Sequence, residues 1–268
     1  MFVVGLQLVP DDFRRVMSVP RAVIGGTLGQ LILLPLMTWA LVTWTGLTPA
    51  FAAGAMILAA TPGAGMSNVM AAVAGANVAL SVTLTAVSSL LAVISLPAFT
   101  AFSIEFFFGN SGGVDVPVLT LAMQLGLFLA LPIGFGMLVR SRRPEASKRY
   151  VTRANRAAVV AILLLTVLGA ISQQSLLPSG EEFVRAMLAA GAWTLFAMAI
   201  GWGLGWLLSL NPHDRFTFVI EFAARNLAIT IIVAVGSLGR LDLGVFAGAY
   251  WMTGFPLVIL LPVLRGRR

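Results

Sequence analysis

The sequence predicts an all-α polytopic membrane protein, and its composition, its charge-free runs and the placement of its basic residues indicate that fold class. Hydrophobic residues make up 59% of the 268 residues and charged residues 10%, against roughly 25% charged in a typical soluble domain. A water-soluble fold needs more charged and polar side chains for its surface. The composition therefore excludes a soluble enzyme, a coiled coil, a disordered chain and a secreted disulfide scaffold.

Charge-free runs set the number of predicted crossings, since a membrane-spanning helix needs about 20 apolar residues. Residues 22–104 contain no charged side chain and are long enough for three crossings, divided by turn signals at 46–49 and 75–77. Residues 1–10 are apolar but too short to cross. The eight predicted crossings are 22–45, 50–74, 78–102, 116–139, 157–180, 186–212, 216–239 and 243–264.

The basic residues predict the orientation. With eight crossings, all but three of the 17 Lys and Arg residues fall on one side, which the positive-inside rule assigns to the cytoplasm. Both termini are therefore expected in the cytoplasm, with the protein in a bacterial inner (cell) membrane. The net charge of +7 then belongs to cytoplasmic loops and predicts no nucleic-acid partner. A single histidine, His213, and no cysteine argue against a transition-metal site.

Polar residues inside the crossings are the first candidates for function, because burying them in lipid is costly. In the second crossing Pro62 removes a backbone donor, and Gly63 and Gly65 weaken the helix further. Such breaks are tolerated where they line a site inside the protein. Because Ser67 and Asn68 follow directly, the pattern favours a binding site over a proline kink.

Two other crossings carry polar residues whose role the pattern leaves open. Ser81 and Thr85 share helical spacing in the third crossing, which suits either close helix packing or a ligand site. In the seventh crossing Glu221 and Arg225 stand four residues apart, a spacing at which a carboxylate and a guanidinium can pair on one helix face. Gln30 is the strongly polar residue in the middle of the first crossing.

These segments resemble the bile acid/sodium symporter family. The family's Pro-Gly-Gly-x-x-Ser-Asn segment stands here as Pro-Gly-Ala-Gly-Met-Ser-Asn at 62–68, and its next helix start as Asn-Val-Ala-Leu-Ser-Val-Thr-Leu-Thr at 77–85. Its Glu-x-Gly-x-Gln-Asn segment stands as Glu-Phe-Ala-Ala-Arg-Asn at 221–226. The opening Gly-Leu-Gln-Leu at 5–8 and Asp-Phe-Arg-Arg at 12–15 are similar to the stretch before the family's third helix.

The resemblance implies an inverted-repeat transporter fold of ten helices, in which two discontinuous helices cross in a core that faces a panel. The eight crossings would be the third to tenth helices, and residues 1–10 an N-terminal stub of the second. Residues 1–268 would form one transporter domain, with 1–102 the remainder of the first repeat and 116–264 the second repeat. The absent first helix implies a misplaced start, a fragment or a naturally shortened protein.

The resemblance also implies the ligands of two sodium ions, which as hard cations prefer oxygen. A first site would use oxygen atoms of Ser67, Asn68, Ser81, Thr85 and Glu221. A second would use Gln30, Glu221, main-chain oxygens of Phe222 and Ala224, and the residue at 225. The substrate would contact Asn226 and the main chain of Pro62, Gly63 and Gly65.

Two residues of the Glu-x-Gly-x-Gln-Asn segment depart from the family pattern. Arg225 replaces a glutamine, and a guanidinium has no acceptor with which to bind sodium. We hypothesise that it stands in the place of the second ion as a tethered cation paired with Glu221; alternatively it binds the substrate carboxylate. Ala223 replaces a glycine, so the second helix break is less strongly encoded.

The sequence thus predicts a secondary active symporter of an organic anion, such as a bile acid or a small carboxylate (a keto acid or pantoate), coupled to sodium by alternating access. The alternative is sodium-independent or altered coupling through Arg225.

A metalloid exporter is disfavoured because such relatives rely on a membrane cysteine. An intramembrane enzyme is disfavoured because no nucleophile–base pair is evident; a nonfunctional fragment is the remaining reading. Sodium as coupling ion, the organic anion and the lipid bilayer are the expected partners, without a cofactor.

Overall fold

The computed structural model describes residues 2–8, 20–109, 116–147, 149–151, 153, 157 and 180–266. Throughout these residues the regular structure is helical, and its only extended pairing is an isolated bridge between Gly63 and Arg225. The helices used below are α1 (Phe2–Gln7), α2 (Pro20–Thr45), α3 (Pro49–Ala60), α4 (Gly65–Val73), α5 (Val78–Phe108), α6 (Val118–Arg142), α7 (Gly180–Leu207), α8 (Pro212–Ala223), α9 (Leu227–Ser237) and α10 (Asp242–Arg265).

Within the described ranges, five helices are long and apolar enough to cross a membrane: α2, α5, α6, α7 and α10. They correspond to the predicted crossings at 22–45, 78–102, 116–139, 186–212 and 243–264. The predicted crossing at 157–180 lies outside the described residues except at its two ends. The chain is therefore a polytopic integral membrane protein of the all-α class.

Helix α7 begins at Gly180, earlier than the predicted crossing at 186–212. The bounds of that crossing were chosen to exclude charged residues. Glu181 and Arg185 instead form an exposed ion pair of 2.7 Å within its first turns. Helix α7 ends at Leu207, and the next helix, α8, starts at Pro212 with Asn211 as its cap. The Asn211 side chain accepts a hydrogen bond from the amide of Asp214, which satisfies one of the free donors of a helix start.

The predicted crossing at 50–74 is two helices, α3 and α4, separated by residues 61–64. Pro62 disfavours the helical conformation of the residue before it, and Thr61 is extended with φ −66° and ψ 151°. The Thr61 hydroxyl donates to the carbonyl of Leu58 at 2.6 Å, so it satisfies one oxygen at the end of α3. The proline break that the sequence predicts is present.

The predicted crossing at 216–239 is also interrupted, although neither Pro nor Gly marks the break. Helix α8 ends at Ala223, and α9 starts after Asn226, whose side chain accepts a hydrogen bond from the amide of Ile229. The Tyr250 hydroxyl donates to the carbonyl of Ala223 at 2.7 Å and accepts from the amide of Arg225 at 3.3 Å. An asparagine cap and a distant tyrosine therefore hold open the break that the alanine left weakly encoded.

The two breaks pair with each other. The amide of Ala64 donates to the carbonyl of Ala224 at 2.9 Å, and the amide of Asn226 donates to the carbonyl of Pro62 at 3.1 Å. Each break thus satisfies backbone groups that the other leaves free, which is what irregular backbone inside a membrane protein requires. The pairing brings the ends of four helices to one point in the interior.

Packing around the breaks fixes the neighbouring helices. Every residue of α3 from Phe51 to Ala60 is buried, and its small side chains allow close approach of other helices. Helix α7 packs closely along α8 at Gly201, which has no side chain. A Cβ atom at that position would lie 2.6 Å from the carbonyl oxygen of Phe218, which is too close. Helix α1 joins this core through Val4, which packs with residues of α5 and α6.

Candidate cation site

The carboxylate of Glu221 lies near the end of α8, is fully buried and faces three hydroxyl groups. Ser67 of α4 and Ser81 of α5 each contact its Oε1 atom at 2.5 Å. Thr85, one turn further along α5, contacts Oε2 at 3.1 Å. We call these four side chains, together with the amide oxygen of Asn68, the hydroxyl cluster.

The hydroxyl cluster has fewer hydrogens than its oxygen contacts require. Besides Glu221, the Ser67 hydroxyl contacts the carbonyl of Ala64 at 2.6 Å, and the Ser81 hydroxyl contacts Oδ1 of Asn68 at 2.8 Å. Each hydroxyl carries one hydrogen, so two hydrogens serve four oxygen–oxygen contacts of 2.5–2.8 Å. Two of these contacts therefore lack a hydrogen, and a cation bound among the oxygen atoms would satisfy them.

The Asn68 amide is oriented by a residue of α1. Its Nδ2 atom donates to Oε1 of Gln7 at 2.6 Å, while its Oδ1 atom accepts from Ser81 at 2.8 Å. An amide whose nitrogen is held in this way must present its oxygen to the opposite side. Gln7 therefore directs the Asn68 oxygen into the hydroxyl cluster.

A glycine allows the first break to approach the carboxylate. A Cβ atom at Gly63 would lie 2.7 Å from Oε2 of Glu221 and 3.2 Å from the hydroxyl oxygen of Thr85. The first of these distances is too short for a real contact, so any side chain at this position must displace the carboxylate. Gly63 thus contributes to the site by having no side chain, in addition to its place in the break.

Arg225 lies in the second break with its guanidinium buried among oxygen atoms; the residue is 1% exposed. Its Nη1 atom donates to Oε1 of Gln30 at 3.1 Å and to the main-chain oxygen of Glu221 at 3.4 Å. Its Nη2 atom donates to the carbonyl of Ala59 at 3.1 Å and to that of Thr61. We call Arg225 and these four oxygen atoms the guanidinium cluster.

The end of α3 favours a positive charge at this place. The carbonyls of Ala59 and Thr61 belong to the last turn of that helix and to its cap, where the helix dipole is negative and carbonyls lack helical partners. Helix α2 supplies the amide oxygen of Gln30 from a π-helical turn, Gly29–Leu33, a type of distortion that occurs often at functional sites. Three helices thus supply oxygens to one guanidinium.

The interpretation of Glu221 and Arg225 as a pair on one helix face is wrong. Helix α8 ends at Ala223, so Arg225 lies in extended backbone and the four-residue helical spacing does not apply. The guanidinium bonds to the main-chain oxygen of Glu221, while the carboxylate turns towards the hydroxyls. The two charges still attract each other through the interior.

Comparison with known proteins identifies the family. The profile of the sodium bile acid symporter family matches residues 1–179. The chain belongs to this family. Over 249 residues it is 31% identical to "Uncharacterized sodium-dependent transporter YocS" of Bacillus subtilis (strain 168), covering 90% of this chain and 73% of that protein.

Two further relatives extend the comparison to eukaryotes. The chain is 27% identical over 242 residues to "Probable sodium/metabolite cotransporter BASS1, chloroplastic" of Arabidopsis thaliana, covering 90% of this chain and 58% of that protein. It is 27% identical over 272 residues to "Ileal sodium/bile acid cotransporter" of Mus musculus, covering 98% and 75%. The chain thus spans between 58% and 75% of these three relatives. The resemblance inferred from the sequence motifs is confirmed.

The structure brings together all the residues that the family resemblance assigns to the first ion. They come from the consecutive helices α4 and α5 and from the distant helix α8, and all are buried: Ser67, Asn68, Ser81, Thr85 and Glu221. Of the residues that the resemblance assigns to the second ion, Gln30 accepts a hydrogen bond from the guanidinium of Arg225. Phe222 is buried and stacks on Phe218 with ring centroids 5.8 Å apart. The carbonyl of Ala224 accepts from the amide of Ala64 in the other break.

The residues that the resemblance assigns to the substrate surround the paired breaks. Pro62 and Gly63 are buried, whereas Gly65 and Asn226 are half-buried. The side chain of Asn226 caps α9 through its Oδ1 atom. Of this group, Gly65 and Asn226 therefore have the exposure that a substrate contact requires in this conformation.

Sequence reasoning missed four residues that contribute to the site. The carbonyls of Ala59 and Thr61 receive the guanidinium, and the position just before Pro62 is the signal that could have indicated free carbonyls. Gln7 and Tyr250 act through contacts across 61 and 25–27 residues of sequence. The signs of Gln7 in the sequence are a polar amide within an apolar stub and its place in the Gly-Leu-Gln-Leu segment at 5–8.

Proposed function

We propose that this chain is a secondary transporter that couples sodium to the movement of an organic anion by alternating access. The observation that carries the proposal is the hydroxyl cluster, where four short oxygen–oxygen contacts share two hydrogens beside a buried carboxylate. The names of its relatives, which include a sodium-dependent transporter and a sodium/bile acid cotransporter, support the choice of sodium. The substrate is a bile acid or a smaller carboxylate.

The sodium ion is held in this proposal by oxygens of Ser67, Asn68, Ser81, Thr85 and Glu221. The donor set suits the ion, because hydroxyl, amide and carboxylate oxygens are the ligands of hard cations. One carboxylate balances one ion, and the ion relieves the contacts that lack a hydrogen. Sodium therefore joins α4, α5 and α8, whose common position depends on the pairing of the two breaks.

The guanidinium of Arg225 takes the place of a second ion in our proposal. Its two terminal nitrogens donate to four oxygen atoms of the protein, which is the environment that a bound cation would have. This geometry disfavours the alternative in which Arg225 grips the substrate carboxylate, since those nitrogens are engaged and the residue is 1% exposed. Coupling then uses one sodium ion rather than two.

The finer architecture is part of the same proposal. The reciprocal pairing of the breaks at 61–64 and 224–226 supports two inverted repeats, 1–102 and 116–264, within one transporter domain of eight full crossings and an N-terminal stub. The arginine-rich loops support cytoplasmic termini in a bacterial inner membrane. The substrate lies beside the paired breaks, near Asn226 and Gly65, where a panel rocks against the core.

The experiment is a sodium titration of thermal stability on purified protein, since a ligand that binds the folded state raises the unfolding midpoint. Sodium should stabilise the wild type with a Hill coefficient near one, whereas potassium and choline should not. Glu221→Gln should abolish the response, because the variant lacks the charge that balances the ion. Glu105→Gln, an exposed carboxylate at the far end of α5, is the control and should respond as the wild type does.

Three outcomes decide between the readings. A wild type without sodium response, or an unchanged response in Glu221→Gln, contradicts the proposed site. A Hill coefficient clearly above one with two bound ions contradicts the tethered cation. Loss of anion affinity in Arg225→Gln with unchanged sodium affinity would favour the reading in which Arg225 binds the substrate.

A further inference from the structure

Two charged residues lie deep within the helices of the described structure. These are Glu221 and Arg225, both essentially without solvent exposure. Every other charged residue of the five spans and of the interrupted α8–α9 crossing falls within the first or last six residues of its helix or crossing. The interior therefore contains one negative and one positive fixed charge.

The positive charge cannot leave with a ligand. The guanidinium is bonded covalently to the second break and held by the amide oxygen of Gln30 and the carbonyls of Ala59 and Thr61. It accompanies the protein through every conformation, so it balances Glu221 permanently while adding nothing to the transported charge. Before any ligand binds, the deep interior has a net charge of zero.

A single sodium ion disturbs this balance. Bound at the hydroxyl cluster it makes the interior positive by one charge, and an unbalanced charge in a low-dielectric interior is costly. An anion with one negative charge restores the balance when it binds beside the paired breaks. Nε of Arg225 and Nε2 of Gln30 are buried and have no hydrogen-bond partner within the described part of the chain, so they favour a negative charge nearby through their electrostatic field and not by direct contact.

We infer that this protein carries one sodium ion together with one monovalent organic anion, so that a transport cycle moves no net charge. The inference rests on the proposed sodium-coupled function and specifies its stoichiometry and the charge of its substrate. Sodium concentration then drives uptake, and the membrane potential does not. The loaded and the empty transporter are both neutral in the interior, which is the condition under which both can change conformation at low electrostatic cost.

The test is equilibrium accumulation in proteoliposomes with radiolabelled taurocholate, pyruvate and pantoate, each a monovalent anion. A sodium gradient is imposed, and the potential is set to zero or to about −100 mV with potassium and valinomycin. The accumulation ratio of the transported probe should equal the sodium ratio and stay the same at both potentials. Accumulation is an equilibrium quantity, so it depends on the transported charge and not on which step is slow.

Two results would overturn the inference in distinguishable ways. If uptake depends on sodium but accumulation changes roughly 50-fold per 100 mV, a net charge is moved and the inference alone fails. If none of the three probes accumulates under a sodium gradient, the proposed function fails and the inference fails with it.

The variant Arg225→Gln sharpens the test by removing the fixed charge. It leaves Glu221 unbalanced, so two cations should enter with each anion, and accumulation should become potential-dependent by roughly 50-fold per 100 mV. Arg185→Gln removes an exposed arginine whose ion pair lies at the outer end of α7 and should behave as the wild type. If Arg225→Gln folds and transports without potential dependence, Arg225 does not set the charge balance. If it does not fold, the wild-type measurement decides alone.

Discussion

The hydroxyl cluster and the guanidinium cluster both include Glu221, but they differ in how their oxygen atoms are supplied with hydrogen-bond donors. The first uses the carboxylate of Glu221, and its short contacts outnumber its hydrogens. The second uses the main-chain oxygen of the same residue, and each of its four oxygens receives an N–H of Arg225. In the hydroxyl cluster, oxygen atoms therefore remain without a donor or cation. In the guanidinium cluster, Arg225 supplies the donors and the positive charge.

This difference separates coupling from structure. The occupancy of a site by a dissociable sodium ion depends on the sodium concentration on the side of the membrane to which the site is open, so such a site can couple transport to a sodium gradient. A tethered guanidinium is present at every concentration, so it stabilises the break without sensing anything. The comparison predicts that changes to the hydroxyl cluster mainly lower sodium affinity, and that changes to the guanidinium cluster mainly lower stability in the absence of sodium.

The largest effect is expected from Arg225→Leu. The change leaves Glu221 without its balancing charge and removes the donors from the carbonyls of Ala59 and Thr61. Removing one partner of a buried charge pair typically costs about 3–5 kcal/mol, so the unfolding midpoint in sodium-free detergent should fall strongly. Added sodium should recover part of the loss, since it supplies positive charge at the neighbouring cluster.

The control for this prediction is Arg185→Leu, since Arg185 pairs with Glu181 on the exposed surface. Exposed ion pairs contribute little to stability, so its midpoint should stay close to that of the wild type. If both variants lose the same amount, or if sodium does not recover any stability in Arg225→Leu, the two clusters do not share the balance of charge described above.

The second-largest effect is expected from Gly63→Ala, which should lower the affinity for sodium. The added Cβ meets Oε2 of Glu221 at 2.7 Å, so the carboxylate must move away from the Thr85 hydroxyl. Overpacking of this kind costs about 1–3 kcal/mol, and sodium affinity should fall about tenfold or more. The titration of thermal stability with sodium measures this affinity.

Gly203→Ala is the matched control, because a Cβ at Gly203 meets no atom within 4 Å. That variant should keep the sodium affinity of the wild type. Wild-type affinity in Gly63→Ala would mean that the carboxylate can shift without loss, and the oxygen arrangement of the hydroxyl cluster would then not define the ion site.

A smaller effect, on stability alone, is expected from Tyr250→Phe. The change leaves the carbonyl of Ala223 and the amide of Arg225 without the hydroxyl that joins them. Leaving buried polar groups unpaired costs about 1–3 kcal/mol, so the unfolding midpoint should fall while sodium affinity stays within about twofold. Tyr150→Phe, at an exposed position, should change neither quantity, and a large loss of sodium affinity in Tyr250→Phe would contradict the separation of the two clusters.

The two breaks show how far the sequence predicts the fold. Pro62 and its neighbouring glycines mark the first break locally, because a proline restricts the residue before it and removes a donor. The second break follows Ala223, and neither a proline nor a glycine marks it. The second break is stabilised by Tyr250, which is distant in sequence. The local sequence pattern could therefore not predict how well this break is held.

The site shows the same limit in its chemistry. Polar residues in apolar runs made Ser67, Ser81 and Glu221 visible as candidates, and the family motifs indicated their common site. The shortage of hydrogens among them could not be predicted, since it depends on distances between three helices. The direction of Arg225 was predicted wrongly because the end of α8 at Ala223 turns the guanidinium away from the carboxylate.

The smallest effect is expected from Gln7→Met, which keeps the size of the side chain but removes its amide. Gln7 accepts a hydrogen bond from Nδ2 of Asn68 at 2.6 Å and thereby directs Oδ1 of Asn68 towards Ser81. Loss of one such bond costs about 1 kcal/mol, so sodium affinity should fall about fivefold. Anion uptake at saturating sodium should be unchanged, a separation that general destabilisation would not produce.

Two further variants decide whether Gln7 acts by positioning Asn68. Gln124→Met removes a comparable amide that accepts from Ser237 at 2.8 Å, remote from both clusters, and should leave sodium affinity unchanged. Gln7→Glu keeps an acceptor for Nδ2 of Asn68, so it should retain affinity that Gln7→Met loses. Equal losses in Gln7→Met and Gln124→Met would show that a half-buried amide supports the helices without directing Asn68, whereas rescue by glutamate requires an acceptor at this position.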